Sequence, residues 1–224
     1  MVTRLYWHNT SNGTTGLPTT KQSAQATAAG NAIVTTSNKN MTTTIGTSQT
    51  SISYSPGGSA GYSYFGRWVS DVISQTSIAA NTWTFSFGYS SFWGGSDIGV
   101  AICIYVWRPT TSAKIATIMD TTNAQAFNSA ETGYKLTASG SAVASGITSG
   151  TDVLCVEIMT NTSLSGGTLT LYYDGTTVVA TNNTAASSVA SYIETPENIA
   201  IGAVSGVTAT ATSKVVTNKF IAQG

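Results

Sequence analysis

Charge is what this sequence has least of. Nine of its 224 residues are Lys or Arg and nine are Asp or Glu, together 8% of the chain, and they cancel; an average soluble domain carries about 25%. Neutralising a phosphate backbone takes clustered Lys and Arg. Here the basic residues are scattered from Arg4 to Lys219, so nucleic acid is not an expected partner. A single histidine, His8, and two cysteines, Cys103 and Cys155, are a poor supply of metal ligands, and neither a metal nor any other cofactor is expected. Both cysteines stand in apolar, strand-like runs, where a free thiol behaves as a small hydrophobe; they are expected to be buried and unpaired. No run of 18 or more apolar residues occurs, so no membrane-crossing helix and no membrane partner are expected. The opening Met1-Val-Thr-Arg-Leu-Tyr-Trp-His8 lacks the basic and apolar regions of a secretory signal, which implies synthesis in a cytoplasm without a signal of its own. The phosphate-binding spacing Gly-x-x-x-x-Gly-Lys and the zinc helix His-Glu-x-x-His are missing too.

What is present argues for a folded β protein. Hydrophobic residues make up 41% of the chain and aromatics 9%, whereas disordered chains are poor in both. A chain of this length removes roughly 70–75% of its unfolded surface from water, so its stability needs no disulfide or metal. With so few charges, the polar surface must come from Thr, Ser, Asn and Gln. Such a surface docks on other proteins at a low desolvation cost.

Residues 1–60 are rich in Thr, Ser, Asn and Gly, with short apolar pieces at Leu5-Tyr6-Trp7 and Ile33-Val34. They read as an extended N-terminal arm with short strands, and residues 61–224 as one β-sandwich domain. Tyr62 to Val69 is aromatic and β-branched. Trp83, Phe85, Phe87 and Tyr89 alternate with Thr84, Ser86 and Gly88. Gly99 to Trp107 is a continuous apolar run that Arg108-Pro109 closes. Lys114–Met119, Val153–Met159, Thr168–Tyr173, Asn198–Val204 and Lys214–Ile221 supply further strands, eight to eleven in all. Asp174-Gly175, between Leu169-Thr-Leu-Tyr-Tyr173 and Val178-Val179, fits a type I′ hairpin turn. With no sustained helical period and no internal repeat, the predicted class is all-β, a single jelly-roll-like sandwich.

Few residues are equipped for chemistry. A Ser-His-Asp arrangement would have to use His8, which reads better as the polar tip of a strand beside Trp7. Glycoside hydrolysis needs two carboxylates about 5–9.5 Å apart, and Glu157 with Asp97, Asp120 or Asp152 is the candidate set. Glu157 shares a strand face with Cys155, where an unpaired charge is expensive; pairing with Arg67 or Arg108 is the expectation, and an enzyme is not. Oxygens from Ser96-Asp97 and Asp120-Thr-Thr-Asn123 fall short of a calcium loop. Tyr89-Ser-Ser-Phe92-Trp93-Gly-Gly puts aromatics where a strand becomes a loop. Tyr89, Phe92 and Trp93 are therefore the candidate contacts for a partner protein or a sugar.

Arg4-Leu-Tyr-Trp-His8, Leu17-Pro18, Met41-Thr-Thr-Thr-Ile-Gly-Thr-Ser-Gln-Thr-Ser51 and Ile104-Tyr-Val-Trp-Arg-Pro109 together resemble a group of virion structural proteins of tailed bacteriophages. The resemblance spans roughly the first 120 residues and carries no catalytic signature. Within that group the chain looks most like a capsid cement or decoration protein, which implies a place in the virion, with the major capsid protein and copies of itself as partners. The alternative is a tail or head-fibre protein whose jelly roll recognises a host surface glycan. On this reading Arg4, Leu5, Tyr6, Trp7, Ile33, Val34 and Ile45 are the expected interface, and residues 1 to about 50 reach a neighbouring subunit. An arm packed entirely on its own sandwich would count against that assignment.

Overall fold

Strand-forming pressure is strongest where β-branched and aromatic side chains follow one another, and the computed structural model has strands there. It describes residues 2–24, 37–54, 61–91, 98–121, 132–143, 145–162, 168–179 and 188–202. Among them are eleven strands: β1 (Arg4–Ser11), β2 (Asn38–Thr42), β3 (Thr50–Tyr54), β4 (Gly61–Val72), β5 (Asn81–Ser91), β6 (Ile98–Arg108), β7 (Ala113–Asp120), β8 (Thr132–Gly140), β9 (Val153–Thr162), β10 (Leu169–Tyr173) and β11 (Tyr192–Glu194). The proline stop after β6 opens a single 3-10 turn, Pro109–Thr111. The expected strand at 214–221 lies outside the described residues; of the one at 198–204, residues 198–202 are described and form no strand, only an isolated bridge between Ile201 and Ile73.

All eleven strands belong to one sheet, ordered β3-β10-β5-β11-β1-β2-β4-β9-β6-β7, with β8 along the other edge of β5. The sheet folds over into the expected all-β sandwich. Phe85 and Phe87 of β5 share one core with Phe65 and Trp68 of β4, Ile102 and Ile104 of β6, and Leu154, Val156 and Ile158 of β9. The ends of the sheet meet, because Ser141 N, just past β8, donates to Ile118 O of β7 at 2.7 Å. One pair, β2 with β4, is parallel.

The outer faces of β4, β6 and β9 are apolar as well. Tyr64, Val69, Ala101, Cys103, Tyr105, Trp107, Val153, Cys155 and Met159 form a second cluster with Leu17. That is why 99–107 reads as an unbroken apolar run and 153–159 as one broken only at Glu157: these strands are covered on both sides.

The described residues among the first sixty do not form an outlying arm. β1 lies within the sheet between β11 and β2, with Leu5 opposite Ile193 and Trp7 opposite Met41. Leu5, Trp7 and Met41 are fully buried. The reason is energetic: burying about 200 Å² of a Trp at about 25 cal/mol per Å² yields on the order of 5 kcal/mol, which an exposed arm forgoes. The expected boundary at residue 60 therefore separates no independent parts among the described residues.

The hairpin at Asp174-Gly175 is corrected in the same way. Asp174 does adopt a positive φ of 65°, but β10 already has β3 on one edge and β5 on the other. No edge is left for Val178-Val179, and the chain pairs Thr177 with Val189 instead. Gly175 is required there, since a Cβ would lie 2.1 Å from Ser188 O.

At the centre Trp7 stacks on Trp68, centroids 4.8 Å apart, and Tyr173 meets Trp68 edge-on at 5.4 Å. Truncating Trp68 to Ala removes the ring that both neighbours rest on. We expect a loss of about 3–5 kcal/mol, read as a lower urea midpoint with an unchanged m-value.

Candidate functional site

The outer face of β4-β9-β6 carries the chemistry singled out in the sequence. Alternation puts Cys155, Glu157 and Met159 of β9 on that face, beside Cys103 and Tyr105 of β6 and Arg67 of β4. An exposed face of this kind would be half apolar and half ionic. It is instead covered by residues 12–24, the first part of the β1–β2 connection, which runs across it as a strap.

Glu157 is 0% exposed. Its Oε1 accepts from Arg67 Nε at 2.9 Å, Arg67 Nη2 at 2.7 Å and Tyr105 OH at 3.0 Å. The strap adds backbone donors: Gln22 N at 3.1 Å to Oε1 and 3.0 Å to Oε2, and Ser23 N at 3.0 Å to Oε2. Arg67, 3% exposed, spends its remaining N–H groups on strap carbonyls and a neighbour. Nη1 donates to Pro18 O (2.5 Å) and Asn38 Oδ1 (2.8 Å), and Nη2 to Thr20 O (2.5 Å). Each buried charge is thus paired and hydrogen-bonded, the condition under which burial is tolerable. Of the two pairings expected for Glu157, Arg67 provides it. Arg108 holds Asp152 instead, with both contacts at 2.8 Å.

Both ends of the strap are fastened. Trp107 Nε1 donates to Gly16 O at 2.8 Å, and Gly16 has φ +75° with a Cβ position only 2.1 Å from Pro109 O, so no other residue fits. At the far end Asp120 accepts from Ser23 Oγ at 2.7 Å and Ala24 N at 2.8 Å. Of the acids considered for glycoside hydrolysis, Glu157, Asp120 and Asp152 are all bound internally, and Asp97 lies outside the described residues. Ser96 and Asn123 lie outside them too.

Cys103 and Cys155 are free thiols under the strap, as the sequence led one to expect. Burial pushes Cys155 up from 9.0 to about 12, against the opposing effects of Arg67 and Tyr105; burial also raises Cys103, Tyr64 and Tyr105.

His8 bridges three segments. Nδ1 lies 2.8 Å from Asp174 Oδ1, and Nε2 lies 2.9 Å from Thr42 Oγ1 and 3.0 Å from Thr44 O. No serine is among its partners. Gly57-Gly-Ser-Ala-Gly61 has the spacing of a nucleophile elbow, which requires a helix after the turn; here the segment joins two strands, β3 and β4, and residues 55–60 lie outside the described ones.

The expected contact residues divide. Arg4 and Tyr6 face outward. The Arg4 side chain is 43% exposed and Arg4 Nε donates to Glu194 Oε2 at 2.6 Å, with its guanidinium 5.3 Å from the Tyr192 ring centre. Tyr6 is half-buried against that same ring, and Ile45 is half-buried. Leu5 and Trp7 are corrected: sealed in their own core, they offer nothing to another subunit. Tyr89 is corrected likewise, being 2% exposed and packed near Phe87, because its parity on β5 points it inward. Ile33, Val34, Phe92 and Trp93 lie outside the described residues. Sequence reasoning missed Val2, 47% exposed, and Thr43, which line a shallow groove with Arg4 and Tyr6. It also missed the strap, whose one signal was an Arg within the aromatic run of β4.

The site is thus a closed clasp, an all-β sandwich holding its own loop over a buried ion pair. No protein family matches the sequence, and no curated protein does. Among solved structures the chain is similar to infectious bursal disease virus Gx strain (11% identity, TM-score 0.37, 71% of this chain and 37% of that one). It is similar also to the Gt strain of that virus (13%, 0.33, 70% and 37%) and to a CocE/NonD family hydrolase from Staphylococcus aureus (8%, 0.38, 87% and 36%). The chain spans little more than a third of each of these chains, and likenesses of this size carry no functional argument.

Replacing Glu157 by Gln leaves Arg67 buried without its counter-charge, and we expect a loss of about 3–5 kcal/mol. Trypsin should then cut after Lys21 in the native protein much faster than in the unaltered chain. Because the folded state keeps the Cys155 thiol protonated, its stabilising contribution is intact below pH 9.0 and disappears as pH rises towards about 12. Denaturant midpoints taken across that window should fall, and less steeply in Cys155→Ala.

Proposed function

We propose that this chain is a non-enzymatic structural component of a phage particle, a capsid cement or decoration protein that binds across major capsid protein subunits. The observation that carries the reading is the sealed clasp. The described acids best placed for catalysis are consumed by internal bonds, and the strap that would have to leave to free Glu157 is itself what satisfies it. A sheet whose ends meet, with a charge-poor surface, suits a stiff module that docks at low desolvation cost. The resemblance of the segments at 4–8, 17–18, 41–51 and 104–109 to phage virion proteins supports the same reading.

Contact with neighbouring subunits is reassigned from an arm to the outer face of β1, where Val2, Arg4, Tyr6 and Thr43 lie together. An interface of standard size buries about 800 Å² per partner, so this groove is one part of it. Quantitative mass spectrometry of purified particles tests the proposal. One copy per major capsid subunit, or a simple fraction of that, is the expected result. A few copies to a few tens per particle would overturn the cement reading in favour of a tail or head-fibre protein recognising a host glycan.

A further inference from the structure

Lys39 is an unusual lysine. It lies on β2 between Ser11 of β1 and Trp68 of β4, is 9% exposed, and among the described residues no carboxylate forms an ion pair with it. Its Nζ instead donates to the side-chain oxygen of Asn9, Oδ1, at 2.7 Å. A carbonyl bond is about 1.2 Å long, so Nζ lies within about 4 Å of Asn9 Cγ, close to the separation of a reacting pair. The same Oδ1 accepts from Tyr173 OH at 3.0 Å, and the Tyr173 ring flanks the amine, 5.7 Å from Nζ to its centre. A carboxylate stands at this corner too, for Asp174 Oδ2 accepts from Asn9 N at 3.0 Å while Oδ1 meets His8.

We propose that Lys39 and Asn9 form an intramolecular isopeptide bond, a self-catalysed modification of the folded chain. The uncharged Nζ attacks Asn9 Cγ, and the negative charge that develops on Oδ1 is held by the Tyr173 hydroxyl. Asp174 carries a proton from Nζ to the side-chain nitrogen, Nδ2. The C–Nδ2 bond then breaks, and a primary amine and a primary amide have become a secondary amide and ammonia. No oxidant or cofactor takes part.

Three features favour the step. Burial lowers the Lys39 pKa, against an opposing pull from Asp174, which enlarges the fraction of nucleophilic amine. Burial pushes Tyr173 up to about 12, with Asp174 adding to it, so its hydroxyl remains a donor. Finally, an ammonium held in a largely buried site opposite a neutral amide carries a desolvation cost, which the neutral product removes. Asn9 itself is exposed, leaving ammonia a way out. The bond would close a covalent loop from residue 9 to residue 39 around the strap.

Denaturing intact-mass spectrometry of the purified full-length chain is the test. The folded protein should be lighter than its sequence by one ammonia. Proteolysis should yield one branched peptide joining Asn9 to Lys39, and Lys39→Arg should restore the full mass. Should that variant fail to fold, the branched peptide in the unaltered chain decides alone. A folded chain of full sequence mass overturns the proposal. So does ammonia loss without a branch, as from a succinimide at Asn12-Gly13.

Discussion

A carboxylate with no exposed surface can persist only if every lone pair is answered, and in this protein the residues that answer come from three places in the chain. Arg67 arrives from β4, Tyr105 from β6, and the backbone of Gln22 and Ser23 from the β1–β2 connection. The pair is not a strong source of net stability, since well-packed apolar residues do as well in such positions. What it supplies is uniqueness. An apolar face of β4-β9-β6 would accept many covers in many registers, whereas one bearing Arg67 and Glu157 accepts only a segment that offers carbonyls and N–H groups at the right places. The second core, the inert cysteines and the course of residues 12–24 all depend on that match.

Much of this was legible in the sequence, and the illegible parts have physical causes. Alternation at 83–89 and the apolar runs at 99–107 and 153–159 announced β5, β6 and β9, because side-chain parity survives whatever the strand pairs with. Glu157 was recognisable as a charge needing a partner, and Arg67 was one of two candidates. The β1 and β2 segments read as an arm in the sequence because their pairing is long-range and their neighbourhood is rich in Thr and Asn. Nothing local says that Leu5 will meet Ile193. Asp174 took the positive φ a type I′ turn asks for, but Gly175 did not, and neither that turn nor the hairpin formed, since a turn signal cannot tell whether an edge of the preceding strand is free. β8 escaped notice because its alternation of Leu136 and Ala138 with Lys135, Thr137 and Ser139 is faint.

The described surface carries few free charges. Of the three arginine–carboxylate pairs among the described residues, two join residues at least partly withdrawn from water, and only the Arg4–Glu194 pair has a markedly exposed member. Charges that elsewhere would decorate the exterior are here spent inside, on fastening one segment to another. A molecule so arranged presents hydroxyls, amides and a few half-open rings to its surroundings, and its contacts will depend more on shape than on salt.

The pairing of β1 with β11 has a bearing on how the chain comes into being. Arg4 faces Glu194, so the first of these two strands to be made has to wait for one made about 190 residues afterwards. At a ribosomal pace of about 5–20 residues per second the delay is roughly 10–40 s. Over that interval Leu5 and Trp7 belong to a strand with an open edge, at a stage when closing so long a loop carries its full entropic cost. The nascent chain therefore spends its most adhesive moments before the sheet exists. A cell that makes many copies at once has reason to keep those early strands apart.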